Sequence, residues 1–173
     1  MKFTKAVEWE KLPALSKTVL AVDPSEGKGD STAYVVAGEA NGGIFVVQGE
    51  KALHDPYRIM DRVCELIEEY PQIEQVDFES NLFKDLLKME LIKKMCERGC
   101  YRQINYNHAS ENKYIRIMKM EPDITGGKIL LNPLNVDFNT QVKSYSRTCK
   151  HDDCADGLQI AWKALKLPSY YMG

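Results

Sequence analysis

The sequence predicts a single α/β domain: a mixed sheet that opens with a three-strand antiparallel meander, continues with parallel strands, and carries helices on both faces. Three observations predict it. Residues 18–49 hold three apolar, β-branched runs joined by short turn-rich loops. From residue 56 onward the hydrophobic period changes from two to 3.6, and helix and strand patterns alternate. A chain of 173 residues that is 44% hydrophobic can bury one core but is short for two.

Residues 1–16 are polar with scattered apolar positions and contain Pro13, so they read as a linker-like arm with a short helix over 6–11. The domain is then 17–173. Thr18, Val19, Leu20, Ala21 and Val22 form a continuous apolar run suited to a strand buried on both faces. The loop 25–30 has turn chemistry, and strands follow over 31–37 and 44–49, joined across Asn41, Gly42 and Gly43. Beyond Pro56, Ile59, Val63, Leu66 and Ile67 fall on one helical face until Pro71. A strand over 73–78, a helix over 82–98 stopped by Gly99, and a strand over 102–106 complete a βββαβαβ pattern. Residues 112–120 read as helix, Gly126 and Gly127 as a turn before a short strand over 128–131, and 136–145 as another helix. The last helix is marked by Leu158, Ala161, Trp162 and Leu165 at i, i+3, i+4 and i+7.

Composition excludes several classes. No apolar stretch approaches the ~20 residues that span a bilayer, and the first residues lack the apolar block of a secretory signal, so a soluble intracellular protein is expected. Five irregularly spaced cysteines read as reduced thiols rather than a disulfide framework. The net charge of -2 conceals a split: residues 1–86 carry 9 basic and 16 acidic side chains, residues 87–173 carry 14 and 9. Such a chain can hold cations and a polyanion together.

In mixed sheets chemistry gathers at the carboxyl ends of the central parallel strands. Asp23 leaves the first strand. Asp77 and Glu79 leave the fourth on one face, Glu79 nearer the mouth where it can meet Asp23. His151, Asp152, Asp153 and Asp156 open the final helix, with Asp153 and Asp156 one turn apart. Converging carboxylates repel, and a divalent cation resolves the repulsion; two Mg²⁺ or Mn²⁺ ions about 3.5–4 Å apart suit phosphodiester displacement. Taken singly, Asp23 before Pro24 is a turn residue, and Asp152 and Asp153 are ordinary helix-capping residues.

Val22-Asp23-Pro24-Ser25 with Gly29 and Asp30, then Glu79 and Asn81, then Asn112, Lys113 and Arg116 with Gly127, and finally the run 151–158 together resemble the C-terminal nuclease domain of phage terminase large subunits. The resemblance spans about residues 18–166. It implies a ribonuclease H-like fold related to Holliday-junction resolvases, and two-metal cleavage of concatemeric viral double-stranded DNA during genome packaging. It further implies an ATPase domain, a small terminase and a portal as partners, and the cytoplasm of an infected bacterium as the location. On it, Asp23 is the first metal ligand and Glu79 the second. Asp156 comes first in the last helix and Asp153 next, with Asp152 as cap; an alternative assignment uses the aspartate pair beside His151. Asp77 is the reserve for Glu79.

Two features qualify the resemblance. Gly27, Lys28, Gly29 and Asp30 lack the spacing and hydroxyl of a P-loop, so no ATP site is expected, and the chain reads as an excised domain or a split gene product. Lys113 and Arg116, with Lys119 on the same face, are candidate contacts to backbone phosphates, or else a solvated cationic face. His151 can orient water or accept a proton. A zinc site from Cys96, Cys100, Cys149, His151 and Cys154 fits no usual spacing. Rival functions are a structure-specific resolvase, a sugar kinase of the actin-like class, which needs two such folds, and an inactive domain that binds DNA or a portal.

Overall fold

The computed structural model describes residues 1–3, 12–24, 31–107 and 111–166, so the helix expected over 6–11 and the loop 25–30 lie outside the described residues. Strands β1 (Lys17–Asp23), β2 (Thr32–Ala40) and β3 (Gly43–Ala52) form the expected meander, each antiparallel to the next. Asn41 and Gly42 both take positive φ between the paired Ala40 and Gly43, the tight two-residue turn that matches strand twist. β4 (Gln75–Phe78) and β5 (Gln103–Tyr106) extend the sheet in parallel beyond β1, and β6 (Ile129–Leu130) lies parallel to β3. The strand order is β5-β4-β1-β2-β3-β6.

Alternation along β1 and β2 feeds two cores. Leu20, Val22, Tyr34 and Val36 pack with Ile59, Val63, Leu66 and Ile67 of α1 (Pro56–Glu69). Asp55 caps that helix by accepting from the Arg58 N–H at 2.8 Å, and Pro56 starts it. Val19, Ala21, Val35 and Ala37 face the opposite layer, with α4 (Lys113–Met118), α5 (Glu121–Thr125), α6 (Val136–Lys143) and α7 (Asp153–Lys166). The helices therefore cover both faces, as the sequence predicts.

Two predicted helices are divided. The one expected over 82–98 is α2 (Asn81–Asp85) and α3 (Lys88–Glu97), with Leu86 exposed at the break. Phe83 stacks on Phe78 at 4.9 Å, and Leu91 and Met95 of α3 join the same core with the α1 residues. The helix expected over 112–120 ends at Met118, and a separate turn with Pro122 near its start follows. The described parts of the arm lie on the fold: Met1 and Phe3 pack on the α7 side, and Leu12 and Leu15 on the α1 side.

α7 crosses the sheet closely at Gly157, where a Cβ would stand 3.2 Å from both Ala33 Cβ and Val35 Cγ2. This approach seats the neighbouring Asp156, 2% exposed, against the strand ends. Gly157→Val is expected to lower stability by about 2 kcal/mol through overpacking, measured by urea unfolding. A parent-like midpoint would show that the helix rides higher on the sheet.

Candidate active site

β1 and β4 run parallel with Ala21 opposite Asp77 and Val22 opposite Phe78. Continuing that register brings Glu79 beside Asp23, and the Glu79 N–H donates to the Val22 carbonyl at 3.3 Å. The first turn of α7 supplies Asp153 and Asp156. Its start is fastened to α6 by the Cys154 N–H, which donates to Gln141 Oε1 at 2.8 Å. Elements distant in sequence thus deliver carboxylates to one end of the sheet.

α4 brings two cations to the same place. Asn112 Oδ1 accepts from the N–H groups of Tyr114 and Ile115 at 2.9 and 3.3 Å, which fixes where the helix begins. Lys113 and Arg116, one turn apart, then point the same way. Arg116 is buried, and its Nη1 donates to Glu79 Oε1 and Oε2 at 2.9 and 2.7 Å. Its Nη2 donates to Asp156 Oδ1 at 3.4 Å. Lys113 Nζ lies 2.5 Å from Asp156 Oδ2 and 3.1 Å from Asp152 Oδ2.

Burial and like charge act on these acids in spite of the two cations. Burial, and next the Asp156 carboxylate, push Asp23 up to about 8; Lys113 pulls the other way, and Glu79 and Asp153 add to the rise. Burial also lifts Asp156 to about 6 in spite of its bonds to Lys113. Burial opposes the charge on Lys113, but Asp156 and Asp152 outweigh it and hold the ammonium well above the usual lysine range. Among the described residues, Glu79, Asp152 and Asp156 pair with the cationic heads of Lys113 and Arg116, and Asp23 and Asp153 lie within electrostatic reach.

Of the residues the sequence singles out, Asp23, Glu79 and Asp156 come together, with Asp153 in electrostatic reach of Asp23. Asp152 stands at the cap position, its carbonyl accepting from the Asp156 N–H at 2.9 Å and its carboxylate turned to Lys113. Asp77 is buried in the sheet, accepting from Gln75 Nε2 at 2.9 Å and Asn105 Nδ2 at 3.3 Å. His151 is exposed and lines a neighbouring cleft. Lys113 and Arg116 turn inward to the acids instead of forming an outward stripe, while Lys119 pairs with Glu111 at 2.8 Å. That inward pairing is what the sequence reading missed; the i, i+3 spacing behind Asn112 was its only signal. Cys100 packs on the α1 side while Cys149 and Cys154 lie on the α7 side, so the zinc grouping does not assemble.

An all-oxygen carboxylate set suits a hard divalent cation. The carboxylates are nonetheless spread over the two cationic heads: among the described residues, no three His, Cys, Asp or Glu side chains are gathered to hold a metal ion. Binding one requires Lys113 and Arg116 to release carboxylate oxygens.

A family model described as Terminase Bacteriophage T7, Ribonuclease H-like domain matches residues 22–129. The match includes Asp23, Glu79, Lys113 and Arg116 and stops before α7. Among solved structures, the chain is similar to the human cytomegalovirus terminase nuclease domain, Mn-soaked and inhibitor-bound, with a TM-score of 0.65 and 10% identity over 88% of this chain and 84% of that one. It is also similar to the large terminase of a thermophilic bacteriophage, with a TM-score of 0.66 and 13% identity, covering 91% of this chain and 41% of that one. A zinc-bound large terminase nuclease from another thermophilic phage gives a TM-score of 0.59 and 14% identity, over 84% and 81% of the two chains. No curated protein matches the sequence. The six-stranded mixed sheet is a ribonuclease H-like fold.

Proposed function

Since the chain belongs to the terminase ribonuclease H-like domain family, we propose that it is a metal-dependent endonuclease that cuts double-stranded viral DNA during genome packaging. The observation that carries the reading is the carboxylate cluster at the ends of β1, β4 and the first turn of α7, where burial and the neighbouring acids push Asp23 up to about 8. Asp23, Glu79 and Asp156, with Asp153, would hold divalent ions, Mg²⁺ or Mn²⁺. Two such ions, when bound, supply Lewis-acid stabilisation to the attacking and leaving oxygens of the phosphodiester.

The chain's own residues set the stage for that chemistry. Burial of Asp156 and the close seat of Gly157 fix the third acid against the strand ends. Arg116 bridges Glu79 and Asp156, and Lys113 bridges Asp156 and Asp152, so the two cations position these carboxylates. Released, the two cations would lie beside the scissile phosphate and neutralise charge there. No helix among the described residues is long and apolar enough to cross a membrane. An ATPase domain, a small terminase and a portal are the partners this reading calls for, in the cytoplasm of an infected bacterium, with residues 17–173 as the nuclease unit.

A second reading draws on the same pairing. A domain that binds DNA without cutting it would also keep Glu79 and Asp156 neutralised by Arg116 and Lys113. Supercoiled plasmid separates the two. Nicked and linear products are expected with Mg²⁺ or Mn²⁺ and none with excess chelator; uncut plasmid under both conditions would exclude the nuclease.

A further inference from the structure

Beside the acid cluster lies a cleft of about 330 Å³ whose lining includes Lys51, Asp137, Thr140, Gln141, Lys150 and His151. Its walls are fastened. The Gly49 N–H donates to Asn135 Oδ1 at 2.9 Å, and Asn132 Nδ2 donates to the Val47 carbonyl at 2.9 Å, tying α6 to β3. Gln141 ties α6 to the start of α7. Lys51, Lys150 and His151 are exposed, and among the described residues no ion pair engages either lysine.

Sheet register fixes how far the cleft lies from the acids. Asp23 pairs with Ala33 across β1 and β2, and Ala33 pairs with Lys51 across β2 and β3. The three sit in one row. Ala33 faces α7, and Gly49, two residues before Lys51, faces Phe138 of α6, so Lys51 projects on the same side of the sheet as Asp23. Two strand spacings put Lys51 about 10 Å from Asp23. Two or three nucleotides of one DNA strand, each advancing about 3.4 Å along the axis, cover that interval.

We infer that this cleft is a phosphate subsite, in which Lys51 and Lys150, with His151 as a further donor, grip the DNA strand two or three nucleotides from the bond that lies over the acid cluster. The ligand chemistry is a phosphate ester. Among the described residues, Asp137 is the one carboxylate in the lining, and two lysines outweigh it. Each lysine that displaces a counterion from the strand adds about 0.9 to the slope of log affinity against log salt, whatever the base sequence. The inference rests on the nuclease reading, because it takes the strand to pass over Asp23.

The test is fluorescence anisotropy of a labelled duplex in chelator, titrated at several KCl concentrations, for the parent and for Lys51→Gln/Lys150→Gln. The double variant is expected to lose about two units of salt slope and about tenfold in affinity at moderate salt, with an unchanged melting temperature. Lys51→Arg/Lys150→Arg is expected to keep the parent slope. An undiminished slope in the glutamine variant overturns the cleft and leaves plasmid cleavage by the parent, and thus the nuclease reading, intact. If the parent neither cuts plasmid with Mn²⁺ nor binds duplex, both fail. A thermal shift with deoxyadenosine monophosphate that only the parent shows, beside equal duplex slopes, reassigns the cleft to a free nucleotide and overturns the strand.

Discussion

Asp23→Asn, Glu79→Gln and Asp156→Asn are each expected to lower plasmid cleavage by about a thousandfold or more, equivalent to about 4 kcal/mol of lost transition-state stabilisation. Each change replaces an ionisable carboxyl by an amide at nearly constant volume, so the fold and the seat of the side chain are kept. The three residues are the acids that chain topology brings to one end of the sheet: Asp23 at the end of β1, Glu79 in register beside it, and Asp156 pressed in by α7. Asp153→Asn should cost less, since of the acids that act on Asp23 it contributes least. Circular dichroism and melting of each variant verify folding before the assay. Parent-like cleavage by all three would remove the acid cluster from the mechanism. An inactive but folded Asp77→Asn beside an active Glu79→Gln would transfer the role to Asp77, in spite of its bonds to Gln75 and Asn105.

The sheet was legible because its signals are local. Apolar runs at 18–22 and 31–37, the Asn41-Gly42 turn and the 3.6 period of α1 each report their own segment. The acids were legible through order and placement, as each follows or opens a regular element. What escaped the sequence depends on which direction a helix faces in three dimensions. The break at Leu86 leaves Phe83 and Leu91 in the same core and so disturbs none of the apolar pattern that predicts one helix. The inward turn of Lys113 and Arg116 follows from where Asn112 starts α4 relative to α7, a relation that no local pattern records. The row Asp23, Ala33 and Lys51 likewise appears only once the strand register is known.

Without metal, Asp23→Asn is expected to melt higher than the parent at neutral pH. In the folded protein the Asp23 carboxyl titrates at about 8, pushed up by burial first and by Asp156 next, against 3.8 for the free side chain. Between those values the folded state holds a proton that the unfolded chain has already lost. Stability therefore falls as pH rises from about 4 to about 8, and levels off above that. Asparagine removes this slope. The expected gain at pH 7 is about 3 kcal/mol, which for a chain of this size raises Tm by about 6–12 °C. Near pH 4 the two proteins should melt together, since Asp23 is then protonated folded and close to half protonated unfolded. Divalent metal should reverse the ranking of gains: ions bound only by the native state stabilise it by mass action, and the variant, short of one carboxylate, should gain less than the parent. Melting curves across pH, with chelator and with millimolar Mn²⁺, read both effects in one experiment. A variant that melts below the parent at pH 7 in chelator would mean that Lys113 and Arg116 already satisfy the cluster. Equal gains with Mn²⁺ would mean that Asp23 is not among the ligands.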